Sequence, residues 1–170
     1  MSYILNIESS TTNCSISLAN NGKLISVREF NEKNYSHSTK MHSFIEEVLK
    51  NSNISVNKLS AIAVSSGPGS YTGLRIGVSA AKGLCYALQV PLISVPTLKV
   101  LARQINIKGK DLIIPVLDAR RDEVYSAVYN SKYELVRNIF PEIIDSESFI
   151  ELAKENKFYF IGNGQEKCER

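Results

Sequence analysis

The 170-residue chain has no tryptophan, two histidines and three cysteines, and each scarcity removes a class of chemistry. Cys14, Cys85 and Cys168 lie far apart, so neither a metal-ligand spacing nor an even-numbered disulfide framework emerges, and a reducing compartment is expected. His37 and His42 stand five apart. On a helix that turns them about 140° from one another, whereas a shared zinc ion needs a spacing of three or four. They read as surface or interface histidines, and no metal is expected. There is no Gly-x-Ser-x-Gly elbow for a nucleophilic serine. No basic, apolar leader opens the chain, and no apolar run approaches the roughly 20 residues that span a bilayer. A soluble, cytoplasmic protein without membrane contact is expected. Excess charge is also scarce: 20 Lys and Arg face 17 Asp and Glu, a formal +3 that permits nucleic-acid contact without arguing for it.

What is present is an ordinary globular composition, 44% hydrophobic and 22% charged. The first thirty residues read as three strands. Tyr3 to Ile7 is apolar apart from Asn6, and Cys14, Ile16 and Leu18 alternate with small polar residues. Asn21-Gly22 is a tight-hairpin signal before a strand from Lys23 to Phe30. Met41, Phe44, Ile45, Val48 and Leu49 then fall at helical spacing, with Ser36 or Ser38 as candidate caps. A buried-type strand at Ala61 to Val64, a helix from about Leu74 to Leu88, a strand at Pro91 to Val95 and a helix capped by Thr97 follow. The order βββ-α-β-α-β-α indicates an α/β domain with a mixed sheet.

After a polar linker the pattern recurs. Shifting the chain by 110 positions places Glu8 on Asp118, Cys14 on Val124, Leu18 on Val128 and Phe30 on Phe140. Gly67-Pro-Gly69 corresponds to Gly162-Asn-Gly164, and a helix is expected from Glu147 to Asn156. Sequence identity between the halves is negligible; the repeat lies in element order and in two landmarks, a carboxylate and a Gly-x-Gly turn. The expected division is 1–107 and 108–170, with a second half that lacks a final helix, strand and helix and so resembles a shortened domain.

The glycine-rich segment Ser65 to Arg75 lies between a strand and a helix, where backbone N–H groups and the helix dipole can face an anion. It is neither a Walker A loop nor a Rossmann fingerprint, because the Gly-Lys-Ser/Thr and the glycine spacing are missing. A tight turn with close helix packing fits equally well. Glu8, Ser9, Ser10, Gly67, Gly69, Ser70, Thr72, Gly73 and Asp118 make up a candidate vestigial phosphate or nucleotide site. Glu8 and Asp118 are candidates for a hydrated Mg²⁺, or simply for strand-end caps. Gly73, Gly77, Ala80, Ala81 and Gly83 give the second helix a smooth face suited to another helix. Lys99, Arg103, Lys108 and Lys110 form a basic cluster too small by itself to establish RNA binding.

Ser66-Gly-Pro-Gly-Ser-Tyr-Thr-Gly-Leu-Arg-Ile-Gly77, followed by Ala81-Lys-Gly-Leu84, closely resembles the signature of the TsaB (YeaZ) family. Ile4-Leu-Asn-Ile-Glu-Ser-Ser-Thr11 is similar to the family's opening strand, with Glu8 where many members have Asp. Asp118-Ala-Arg120 and Glu123-Val-Tyr125 resemble its second-half motif. The resemblance implies the duplicated, RNase H-like fold of the actin, Hsp70 and sugar-kinase superfamily. It implies an accessory role in making threonylcarbamoyladenosine beside the anticodon of tRNA. The partner would be TsaD, the transferase of the same fold, with the ATPase TsaE, and tRNA would be met only through that complex. A homodimer is expected when TsaD is absent. The implied pairing surface comprises His37, Met41, Phe44, Ile45, Val48, Gly73, Ile76, Gly77, Ala80 and Leu84. No catalytic residue and no cofactor of its own is implied, although ATP and Mg²⁺ can belong to the complex. The competing expectation is a small ATP-binding phosphotransferase or ATPase using Glu8, Asp118 and the glycine loop.

Overall fold

A computed structural model describes residues 1–31, 37–145, 147–154 and 156–168; of His37, Ser38, Thr39 and Ala153 it describes the backbone alone. The chain forms two compact units, Met1–Val95 and Pro96–Arg170.

In the first unit, β1 (Tyr3–Glu8), β2 (Asn13–Asn20) and β3 (Lys23–Asn31) form an antiparallel meander, and Asn21 and Gly22 turn the hairpin at φ of 49° and 78°. Then come α1 (His37–Asn51), β4 (Leu59–Ser65), α2 (Tyr71–Leu88) and β5 (Leu92–Val95). The sheet order is β3-β2-β1-β4-β5, with β4 parallel to β1 and to β5. Period-2 alternation sends Leu5, Ile7, Cys14, Ile16, Leu18, Ile62 and Val64 to one face, where Met41, Ile45 and Val48 of α1 and Ala81 of α2 complete the core. The opposite face carries Ile4, Asn6 and Glu8 beside Ala19, Ser17 and Ser15. Asn6 donates to Ser17 Oγ at 3.1 Å.

The second unit begins with α3 (Thr97–Ala102), followed by β6 (Leu112–Asp118), β7 (Glu123–Asn130), β8 (Leu135–Ile143), α4 (Ile150–Ala153) and β9 (Phe158–Ile161). Its sheet order, β8-β7-β6-β9, repeats β3-β2-β1-β4, with β9 parallel to β6. Strand β6 is buried on both faces. Ile113 and Leu117 pack with Leu98 and Ala102 of α3, while Ile114 and Val116 pack with Phe149, Phe158 and Phe160. Phe158 and Phe160 meet edge to face at 5.4 Å.

Several local expectations are corrected. Helix α2 starts at Tyr71, not Leu74, because Ser70 caps it by accepting from Gly73 N at 3.2 Å. Thr97 is not a cap: Pro96 holds that position, and the Thr97 hydroxyl is buried without a hydrogen-bond partner among the described residues. Of the candidate caps of α1, Ser36 lies outside the described residues and Ser38 lies inside the helix. Instead of a helix over 147–156, a turn leads into one helical turn at Ile150–Ala153, entered through Phe149 at φ 64°. Its apolar residues serve the aromatic cluster in place of a long helical stripe. Helix α3, placed by sequence with the first half, packs on the second sheet through Leu98 and Ala102.

A groove between two helices, and two satisfied strand ends

The end of β1 and the start of α2 build the glycine-loop region. Glu8 ends β1 with its carboxylate turned back on its own surroundings: Oε1 accepts from Ser10 N at 2.7 Å and Ser10 Oγ at 2.5 Å, and Oε2 accepts from Ser65 Oγ. Ser70 N donates to Ser10 O at 2.6 Å, and Ser9 Oγ donates to Gly73 O at 2.9 Å. A Cβ on Gly69 would stand 2.7 Å from the Ser10 Cβ, so only glycine lets the loop lie on the strand end. The structure therefore brings Glu8, Ser9, Ser10, Gly69, Ser70 and Gly73 together, while Thr72 is exposed and Gly67 only turns the chain. The donors expected to face an anion at Ser70 and Gly73 are already spent inside the protein. Ser65, absent from the sequence-based set, is a principal partner of Glu8.

Asp118 ends β6 in the second unit, and its Oδ1 accepts from Arg120 N and pairs with Lys167 Nζ, both at 2.7 Å. Asp118 N donates to Asn163 Oδ1 at 3.0 Å, and Gly164 N donates to Val116 O at 3.2 Å. The Gly162-Asn-Gly164 turn thus lies on its strand end as Gly67-Pro-Gly69 does in the first unit. The Lys167 hydrogen bond, helped by Arg120 N, holds the Asp118 carboxyl below its usual range against the opposing effect of burial. Because the folded-state value is depressed, the stabilisation exists above the unfolded carboxyl's titration and disappears as pH falls through the folded one. Lys167→Met should raise the Asp118 titration toward the ordinary range in a carboxyl NMR titration. An unmoved titration would show that the pair does not set it. Among the described residues no three of His, Cys, Asp and Glu gather as a metal site.

The other candidate region is the outer side of α1 and α2. His42, Arg75, Ile76, Ser79, Ala80, Gly83 and Leu84 line a shallow groove of about 650 Å³. Its floor is built from small side chains, and a Cβ on Gly83 would meet nothing within 4 Å. Arg75 lies over the exposed Tyr71 ring at 4.0 Å, and Tyr86 is 82% exposed at the end of the same helix.

The expected pairing surface divides on this geometry. Ile76, Ala80 and Leu84 line the groove, and Phe44 is half-buried on α1. Met41, Ile45 and Val48 are instead buried in the sheet core, because positions 41, 45 and 48 form the apolar stripe of α1. Gly73, Gly77 and Ala81, spaced four apart, form the corresponding stripe of α2 and are buried. A Cβ on Gly77 would fall under 3.0 Å from Ser9 Oγ and 3.5 Å from Ile7 Cγ2, so its smallness serves the strand and not a partner. The His37 side chain lies outside the described ones. Arg75 and Ser79 line the groove without having been expected there, and Gly83, expected on the smooth helix face, lines it with them. Positions 76, 79, 80 and 83 fall on the flank of the helix beside the 73, 77 and 81 stripe, and that spacing is the signal that finds them.

The family model described as TsaD, tRNA N6-adenosine threonylcarbamoyltransferase, matches residues 31–169. A tRNA threonylcarbamoyladenosine biosynthesis protein TsaB from Bacillus subtilis is 37% identical over 122 residues, which cover 71% of this chain and 52% of that protein. The Haemophilus influenzae TsaB is 31% identical over 86% of this chain and 61% of its own length. The chain thus spans little more than half the length of these curated relatives. Among solved structures, YeaZ from Pseudomonas aeruginosa superposes with a TM-score of 0.74 at 28% identity, covering 84% of this chain and 68% of that one. The likeness is one of fold as well as sequence, and in this chain the α/β pattern is repeated, with five strands in the first sheet and four in the second.

Proposed function

Since the chain belongs to the TsaB (YeaZ) members of the family that the TsaD model describes, we propose that it is a non-catalytic subunit of a tRNA threonylcarbamoyladenosine system. In this reading it pairs with a TsaD-family transferase through the groove between α1 and α2, works alongside TsaE and meets tRNA within that assembly. Where the transferase is missing, the same face pairs two copies of the chain. Its setting is the cytoplasm, and among the described residues no helix is long and apolar enough to cross a membrane.

The observation that carries this reading is the groove itself. Ser79, Ala80 and Gly83 leave the backbone of α2 open to close approach by another helix, and Ile76 and Leu84 supply apolar contact at its sides. The glycine loop weighs against a phosphotransferase. Glu8 occupies the hydroxyl and amide donors of Ser10 and Ser65 that an incoming phosphate would need. No nucleotide or metal of its own is therefore assigned to the chain; ATP and Mg²⁺ belong to its partners.

Reconstitution tests the proposal. Unmodified tRNA, threonylcarbamoyl-AMP, TsaD and TsaE should give little repeated turnover until this chain is added, and the chain alone should transfer nothing. Full turnover without it, or transfer by the isolated chain, would overturn the reading.

A further inference from the structure

One end of the second sheet gathers cations that the reading above leaves unused. Strands β6, β8 and β9 begin there and β7 ends there. The segment after α3 is fastened to the β7–β8 turn by three side chains. Tyr133 Oη donates to Ile105 O at 3.2 Å and to Asn106 Oδ1 at 2.5 Å, and Ser131 Oγ donates to Gly109 O at 2.9 Å. Arg103 lies over the Tyr133 ring at 4.3 Å. These ties bring Lys132 to the same end as Arg103, Lys108 and Lys110. Lys157 joins them, because its carbonyl accepts from Leu112 N at 2.8 Å where β9 meets β6.

All five cations are exposed, and none is ion-paired with a described residue. The described carboxylates at this end are Asp111 and Glu134, engaged with Tyr159 Oη at 3.4 Å and Asn130 Nδ2 at 2.8 Å. In a chain with a formal charge of only +3, this is a local concentration of positive charge on pinned loops.

We propose that this end of the second unit contacts the phosphate backbone of tRNA when the chain is part of the modifying assembly, an inference that rests on the function proposed above. Repeated cations on fixed loops match a ligand that carries a charge at every nucleotide, where each contact releases counterions. Arg103, held over the Tyr133 ring, is restrained before it meets a phosphate and so gives up less freedom on contact. With a formal charge of only +3, the isolated chain is expected to bind tRNA weakly, so that the contact depends on partners.

The test compares wild type with the triple variant Lys108→Ala, Lys110→Ala, Lys132→Ala in the assembly with TsaD and TsaE. The probe is an unmodified tRNA transcript followed by fluorescence anisotropy over a salt series. The variant should bind at least about tenfold more weakly, with the slope of log affinity against log salt reduced by about three. Its melting temperature and its pairing with TsaD should not change. Equal affinity and equal slope would overturn the proposal, as would polyglutamate or anionic-lipid vesicles binding this surface in preference to tRNA. If no assembly with TsaD forms, the function proposed above fails. The isolated chain then tests the surface directly: low-salt tRNA binding lost in the triple variant sustains it, and binding unchanged by the variant removes it.

Discussion

Gly83→Arg is expected to abolish pairing with a TsaD-family partner while the protein stays folded, whereas Gly77→Leu is expected to destabilise the first unit. The two glycines lie six residues apart on α2 and differ in what surrounds them. At Gly83 a Cβ meets open space within the groove. The substitution replaces a poor helix former with a good one and is worth up to about 1 kcal/mol to the free chain. A long cation in the groove then blocks the close helix approach that the small floor permits. At Gly77 the new side chain runs into Ser9 and Ile7 under the sheet. That overpacking costs about 1–3 kcal/mol, and displacing Ser9 also breaks its hydrogen bond to Gly73 O. Thermal melting and size-exclusion chromatography with the partner separate the cases. Gly83→Arg should melt at or above the wild-type temperature and elute alone. Gly77→Leu should melt several degrees lower. A Gly83→Arg protein that still pairs would move the interface off this groove.

Gly162→Val should have a comparable effect on the second unit. Gly162 sits at φ 121°, and a Cβ there would lie under 3.0 Å from the Val116 carbonyl oxygen and 3.4 Å from Leu101 Cδ1. Backbone strain of about 1–3 kcal/mol for a side chain at such a φ adds to a clash with backbone that cannot rotate away. The close approach fastens the Gly-x-Gly turn to the end of β6, so its loss should also free the Asp118–Lys167 pair. Denaturant unfolding should show a large loss of stability, and the Asp118 carboxyl should titrate nearer its ordinary range. A protein as stable as wild type would mean that the turn tolerates a shift away from the strand.

The repeat between the halves was legible because it is carried by alternation and by glycine placement, both of which survive the loss of identity. The β1-β2-β3-β4 pattern and its copy β6-β7-β8-β9 could be read from Cys14-Ile16-Leu18 and Val124-Val128, and the Gly-x-Gly turns lie in both units where they were expected. The direction of the helix faces was not legible. Small residues along Gly73, Gly77, Ala80, Ala81 and Gly83 surround half of α2, and smallness is demanded both by a strand beneath and by a partner above. Only the position of Ser9 assigns Gly73 and Gly77 to the inside, while Gly83 faces open space and Ala80 lies half-buried between the two. The helix expected at 147–156 failed for a related reason. Phe149, Ile150 and Leu152 are apolar at helical spacing, but Phe149 and Leu152 pack on aromatic residues of β9, which one turn suffices to position. The Glu8 network was hidden because Ser65 is remote in sequence and ends a different strand.

Hydrogen exchange on the chain with and without its TsaD-family partner tests the central claim most directly. The account predicts a heterodimer in which amide exchange slows along α1 and α2 around His42, Ile76, Ala80 and Leu84, with the glycine loop at Ser65 to Ser70 unchanged by ATP on the free chain. No heterodimer, or protection confined to the β3 and β8 edges with α2 unaffected, would contradict it.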